Sequence, residues 1–118
     1  MISSEFAERF AEEWIAAWNA HDLPRVLSHY RDDFEMSSPR IVEVAGEPSG
    51  ILRGKASVGA YWAKGLRLVS DLRFEKLGVF VGVGSLAIQY RNQAGHLAVE
   101  TFEFADTGHV IRAASHYA

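Results

Sequence analysis

The sequence predicts an α+β fold in which helices cover one face of a curved antiparallel sheet. Three observations carry that reading. Phe6, Phe10, Trp14 and Trp18 recur at i, i+4 spacing, which puts four aromatic rings on one stripe of a helix. After Ser70-Asp71 the period changes to two, with Leu72 and Phe74 alternating with Arg73 and Glu75. The strands that follow are separated by Gln93-Ala94-Gly95 and Asp106-Thr107-Gly108, both turn chemistry. Helices first and antiparallel strands afterwards is the α+β order, and the strands supply the broad apolar surface that the ring stripe needs.

The first helix is expected over residues 5–20. Ser3 or Ser4 can cap it, Glu5 and Glu8 suit its positive end, and Glu5 with Arg9 makes a favourable i, i+4 pair. Asp22 caps a second helix over 23–31, with Pro24 in the first turn, where its missing N–H costs nothing. Leu23, Val26, Leu27 and Tyr30 form its apolar stripe. Residues 34–37 alternate as a short strand that stops at Pro39, and 41–44 read as a second short strand or an ordered loop. The breaker-rich run 46–50 reads as an exposed loop. A third helix over 55–66 carries Val58, Tyr61, Trp62 and Leu66 on one stripe, weakened by Gly59. Strands follow at 79–83, 85–92, 97–104 and 109–117. No repeat, linker or second domain is visible, so residues 1–118 read as one domain.

Composition narrows the function classes. A chain of 118 residues can bury about two-thirds of its unfolded surface, and 48 % hydrophobic residues argue against disorder. A net charge of −3 and a pI near 5.9 argue against nucleic acid or an anionic membrane surface as partner. The absence of cysteine excludes disulfides and thiolate chemistry. The first residues have neither a basic nor an apolar signal segment, and no run approaches membrane-spanning length, so a cytoplasmic protein is the default expectation. The five histidines show no ligand spacing, so no metal is expected. His21 and His29 are expected in solvent near helix ends, and Asp32-Asp33 on a surface turn. Gly82-Val83-Gly84-Ser85-Leu86-Ala87 superficially matches a dinucleotide fingerprint but opens no helix, so no cofactor is expected either.

Four stretches together resemble the nuclear transport factor 2-like superfamily, nearest its SnoaL-like and ketosteroid-isomerase-like branch. They are the run from Trp14 through Trp18 and Asp22 to Leu23, the group Tyr30-Arg31-Asp32-Asp33-Phe34, Gly54 ahead of Tyr61-Trp62, and the run from Glu100 through Phe104 and Gly108 to Val110. The resemblance covers nearly the whole chain. It implies a cone-shaped roll: three N-terminal helices packed on a strongly bent antiparallel sheet, with an apolar pocket between them. It also implies a homodimer joined through the outer face of the sheet. Ketosteroid isomerase uses an Asp base with a Tyr and a protonated Asp as oxyanion hole. The resemblance puts the base at Ser38, the tyrosine at Trp14 and the protonated acid at Glu100. Further pocket tyrosines fall on Tyr30, which is kept, and Trp62, which is not. With serine in place of the base, that family's steroid isomerisation is not expected here.

Strand parity gives a lining for the pocket. A three-residue turn at Gln93-Ala94-Gly95, with Gly95 left-handed, pairs Tyr90 with Ala98, Ile88 with Glu100 and Leu86 with Phe102 on one inner face. For the next turn a four-residue loop, 105–108, is preferred. It pairs Phe104 with His109 and Glu100 with Ala113. Ala113, Ser115 and Tyr117 then face inward, while Arg112 and His116 face outward beside Thr101 and Glu103. A three-residue loop would reverse that strand.

Glu100 is the sharpest candidate: an acid among Ile88, Ala98 and Phe102, where burial would raise its pKa and fit it for acid or base catalysis. The expected ligand-contacting set is Trp14, Tyr30, Ser38, Trp62, Ile88, Tyr90, Phe102 and Tyr117, around a small apolar or aromatic molecule. The chemistry expected is cofactor-free proton transfer of isomerase or cyclase type. The alternative is a non-catalytic ligand-binding or dimerisation module whose pocket is filled by its own side chains.

Overall fold

Ser3 accepts a hydrogen bond from the Phe6 amide (3.1 Å) and starts α1, Ser4–Asn19. The computed structural model describes residues 1–118. Ala7, Phe10, Ala11, Trp14, Ala17 and Trp18 are the buried face of α1, which is the stripe the i, i+4 spacing predicts. Asp22 caps α2 through the Arg25 amide, but α2 ends at Leu27, short of the expected residue 31. Tyr30 instead opens β1, Tyr30–Ser37, in which Asp32 and Asp33 are exposed strand residues rather than a turn.

The segment 41–44 is neither strand nor loop. Ser38 accepts from the Arg40 amide and caps an additional short helix, α3, Pro39–Val44. Pro39 therefore begins an element instead of only ending one, because proline fits the first turn of a helix. A three-residue strand β2, Ile51–Arg53, leads into α4, Lys55–Leu68. The remaining strands are β3, Glu75–Val81, β4, Ser85–Arg91, β5, Leu97–Phe104, and β6, Val110–Tyr117. β3 starts earlier and stops earlier than 79–83, because the Gly82 amide bonds to the Ser85 carbonyl and puts Val83 in the turn.

The strands form one curved sheet in the order β2-β1-β6-β5-β4-β3. Every neighbouring pair is antiparallel except β1 with β6, which is parallel. The β4–β5 register is the one the Gly95 turn predicts: Tyr90 opposite Ala98, Ile88 opposite Glu100, Leu86 opposite Phe102. The β5–β6 register differs. Asp106-Thr107-Gly108 forms a three-residue loop closed by Ala105 and His109, and a bulge after Val110 adds one residue to β6. Glu100 then lies opposite Ser115 rather than Ala113. The loop and the bulge each shift parity once, so Ala113 and Ser115 still face inward. Arg112 faces outward, 2.8 Å from Glu103 and 3.3 Å from Glu35.

The core lies between the α1 stripe and the inner face of the sheet. Phe10 meets Phe102 and Phe104 edge-on, and Trp14 packs on Phe74, Tyr90 and Phe102. Asn19 fixes the end of α1 to the strand side by bonding both the N–H and C=O of Phe74, at 2.7 and 2.9 Å. His29 is not solvated as expected. It packs against Phe10, and its Nε2 is buried without a hydrogen-bond partner. His21 bonds the Leu72 carbonyl at 2.8 Å. No helix is long and apolar enough to cross a membrane.

Candidate functional site

The concave side of the sheet does not close completely on the helices. Between them is a cavity of about 140 Å³. Trp14 and Trp18 reach it from α1, Tyr61 and Trp62 from α4, Arg40 from α3, and Tyr90, Glu100, Ser115 and Tyr117 from the last three strands. Phe74, Leu72 and Leu66 complete an apolar wall.

Glu100 arrives there by strand parity: β5 alternates, and its buried positions are Ala98, Glu100 and Phe102. Glu100 is 3 % exposed, and its carboxyl's hydrogen-bond partner is Ser115 Oγ, directly across on β6, which donates to Oε1. Burial penalises the charged form and pushes the pKa up to about 7, while the Ser115 bond pulls it back only in part. Trp14 does not serve Glu100, because its Nε1–H donates to Tyr30 Oη at 3.0 Å. Tyr61, Tyr90 and Tyr117 stay protonated: burial raises each phenol, Tyr61 to about 12, and the Glu100 charge adds to the effect.

The expected ligand contacts divide into two groups. Trp14, Trp62, Tyr90, Glu100 and Tyr117 line the cavity together. Tyr30, Ser38, Ile88 and Phe102 do not. Tyr30, Ile88 and Phe102 are buried behind the wall at 0–1 % exposure, where Tyr30 packs on Phe34 and Trp62. Ser38 serves as the α3 cap and lies beside the phenols of Tyr61 and Tyr117; no base activates it as a nucleophile. The sequence reading missed Arg40 and Tyr61. Tyr61 was on the α4 stripe and could have been included; Arg40 sat in a segment not recognised as helix.

A SnoaL-like domain matches residues 11–118. The chain belongs to the SnoaL-like family. A SnoaL-like protein of unknown function from Burkholderia thailandensis is 55 % identical, with a TM-score of 0.95 over 100 % of this chain and 99 % of that one. TerC, crystallised with polyporic acid, shares the fold at 14 % identity and a TM-score of 0.78, over 96 % of this chain and 92 % of that one. A nuclear transport factor 2-like protein of unknown function from Burkholderia pseudomallei does so at 16 % identity and 0.78, over 99 % and 92 %. Among curated proteins none matches the sequence.

Proposed function

We propose that this SnoaL-like protein binds a small, largely apolar or aromatic molecule in the cavity and moves a proton to or from it at Glu100, without a cofactor. The observation that carries the reading is a lone carboxyl in an apolar wall, with its pKa lifted to about 7. An acid or base poised near neutrality transfers protons most effectively at neutral pH. The Tyr90, Tyr61 and Tyr117 hydroxyls supply neutral donors for negative charge that develops on the ligand. TerC, with the same fold, was crystallised with polyporic acid, which supports a small-molecule ligand. The cavity volume, about 140 Å³, suits a single ring, since an apolar protein cavity of about 150 Å³ takes up benzene.

That volume also favours a second reading. It falls below the roughly 300–1,000 Å³ of ordinary ligand sites, as it would in a non-catalytic module whose pocket is mostly filled by its own side chains. Thermal-shift screening of single-ring compounds separates the two. In the first reading a set of these compounds raises the melting temperature, and Glu100→Gln abolishes proton exchange into the bound compound while binding survives. In the second, no compound of that size shifts the transition. Under both, the outer face of the sheet is proposed as a homodimer interface, through Leu97, Val99, Thr101, Arg112, Ala114 and His116.

A further inference from the structure

The cavity holds one carboxylate and one cation. Glu100 is the acid, and Arg40 is the single Arg or Lys among the lining residues. Arg40 stands in the first turn of α3, its guanidinium carbon 4.5 Å from the centre of the Tyr117 ring. Arg25, Arg31, Arg53 and Arg112 each hold a carboxylate within 2.8 Å. Arg40 holds none. Its charge is nonetheless felt inside, where it favours ionisation of Tyr61, Tyr90 and Tyr117. Glu100 does not neutralise it: the two side chains form no ion pair, and the Glu100 carboxyl bonds Ser115 instead.

A guanidinium that is half-buried, backed by an aromatic face and free of a protein acid is suited to a planar oxyanion. The same cavity wall carries Trp14, Trp62 and Phe74. A ligand matching one cation and an aromatic wall has a charged planar head and a flat apolar body. Resting on the ligand-binding reading above, we propose that the ligand is a single-ring aromatic carboxylate. Its carboxylate pairs with Arg40 at the Tyr117 side, and its ring lies against the tryptophan wall with the far edge toward Glu100.

All three tryptophans of the chain line this cavity, so intrinsic fluorescence reports occupancy directly. The probes are phenylacetate and its neutral isostere phenylacetamide, titrated into the full-length protein at low salt. One charge-assisted pair predicts that the wild type binds phenylacetate at least about tenfold more tightly than the amide. Arg40→Met should remove that preference by weakening phenylacetate far more than the amide, and Arg40→Lys should keep part of it. In the wild type alone, added salt should weaken phenylacetate and not the amide, which tests the charge without any substitution. Equal affinity of the two probes for the wild type, or a preference that survives Arg40→Met, overturns the assignment of Arg40. In either case amide binding leaves the apolar site itself standing. If neither probe quenches the tryptophans, both the assignment and the site fall.

Discussion

A carboxyl enclosed by Tyr90, Trp14 and Tyr117 pays for ionisation in lost hydration, so Glu100 should leave a mark on stability as well as chemistry. Its pKa rises from 4.5 to about 7 on folding, so the native state holds the proton more tightly than the unfolded chain. The contribution is full below about pH 4.5 and is lost as pH rises through about 7, a loss on the order of 3 kcal/mol. Glu100→Gln keeps a polar group that cannot ionise. The wild-type melting temperature should fall between pH 5 and pH 8 by several degrees more than that of the variant. Parallel pH profiles for the two proteins would show that the carboxyl is solvated after all. Comparing the two cancels the pH dependence of His29, Glu13 and the other shifted groups. Glu100 was legible in the sequence because one turn, Gln93-Ala94-Gly95, fixes the parity of β4 and β5. What parity cannot give is depth along the strand. Ile88 and Phe102 share the face of Glu100, yet they lie behind the wall, covered by the helices.

Among the elements, the long ones follow their periodicity and the short ones follow local chemistry. The α1 stripe and the β4–β5 hairpin stand where the spacing puts them. α3 does not, since six residues are too few to establish a helical period; its signal was the Ser38 cap with Pro39 behind it. The β5–β6 turn shows a different limit. The bulge at Val110-Ile111 has no glycine to mark it, so the loop length and the strand parity could not both be read from the sequence. The link from β2 to α4 rests on one residue, Gly54, at φ 86° and ψ 152°, with its amide 2.8 Å from the Phe34 carbonyl. That conformation is essentially closed to residues with a Cβ. A methyl group there would find room, meeting only the Asp32 carbonyl at 3.6 Å, so the cost is backbone strain and not a clash. Gly54→Ala should therefore lower unfolding free energy by about 1–3 kcal/mol in a urea titration, with an unchanged m-value. A loss within about 0.5 kcal/mol would mean that the β2–α4 link relaxes at little cost.

For the molecule as a whole, the order of helices and strands was legible, and the parallel β1–β6 contact was not, because it joins residues some 80 apart by way of every intervening element. The same sheet order sets what the outer face offers. Register aligns Phe80, Ala87, Thr101, Ala114 and Ser37 in one row across five strands, small or short residues with one exposed ring at the end. Beside it lies a charged row in which Arg112 joins Glu103 to Glu35, and Glu35 also holds Arg53 at 2.6 Å. An apolar hollow with a polar border is the composition of a two-fold interface, in which the Phe80 ring of each protomer can cover the small residues of the other. The single chain has an ordinary amount of surface for its size. Its accessible surface, 6371 Å², is what its mass of 13.1 kDa predicts for a monomer, about 6,400 Å². An interface of ordinary size would bury about 800 Å² of that surface per protomer. Thr101→Arg places a long cation in the middle of the hollow, twice across a two-fold axis, while pointing it to solvent in the monomer. The wild type should sediment as a dimer at about 50 μM and the variant as a folded monomer. A wild type that is monomeric at that concentration, or a variant that remains dimeric, removes the outer face as the interface.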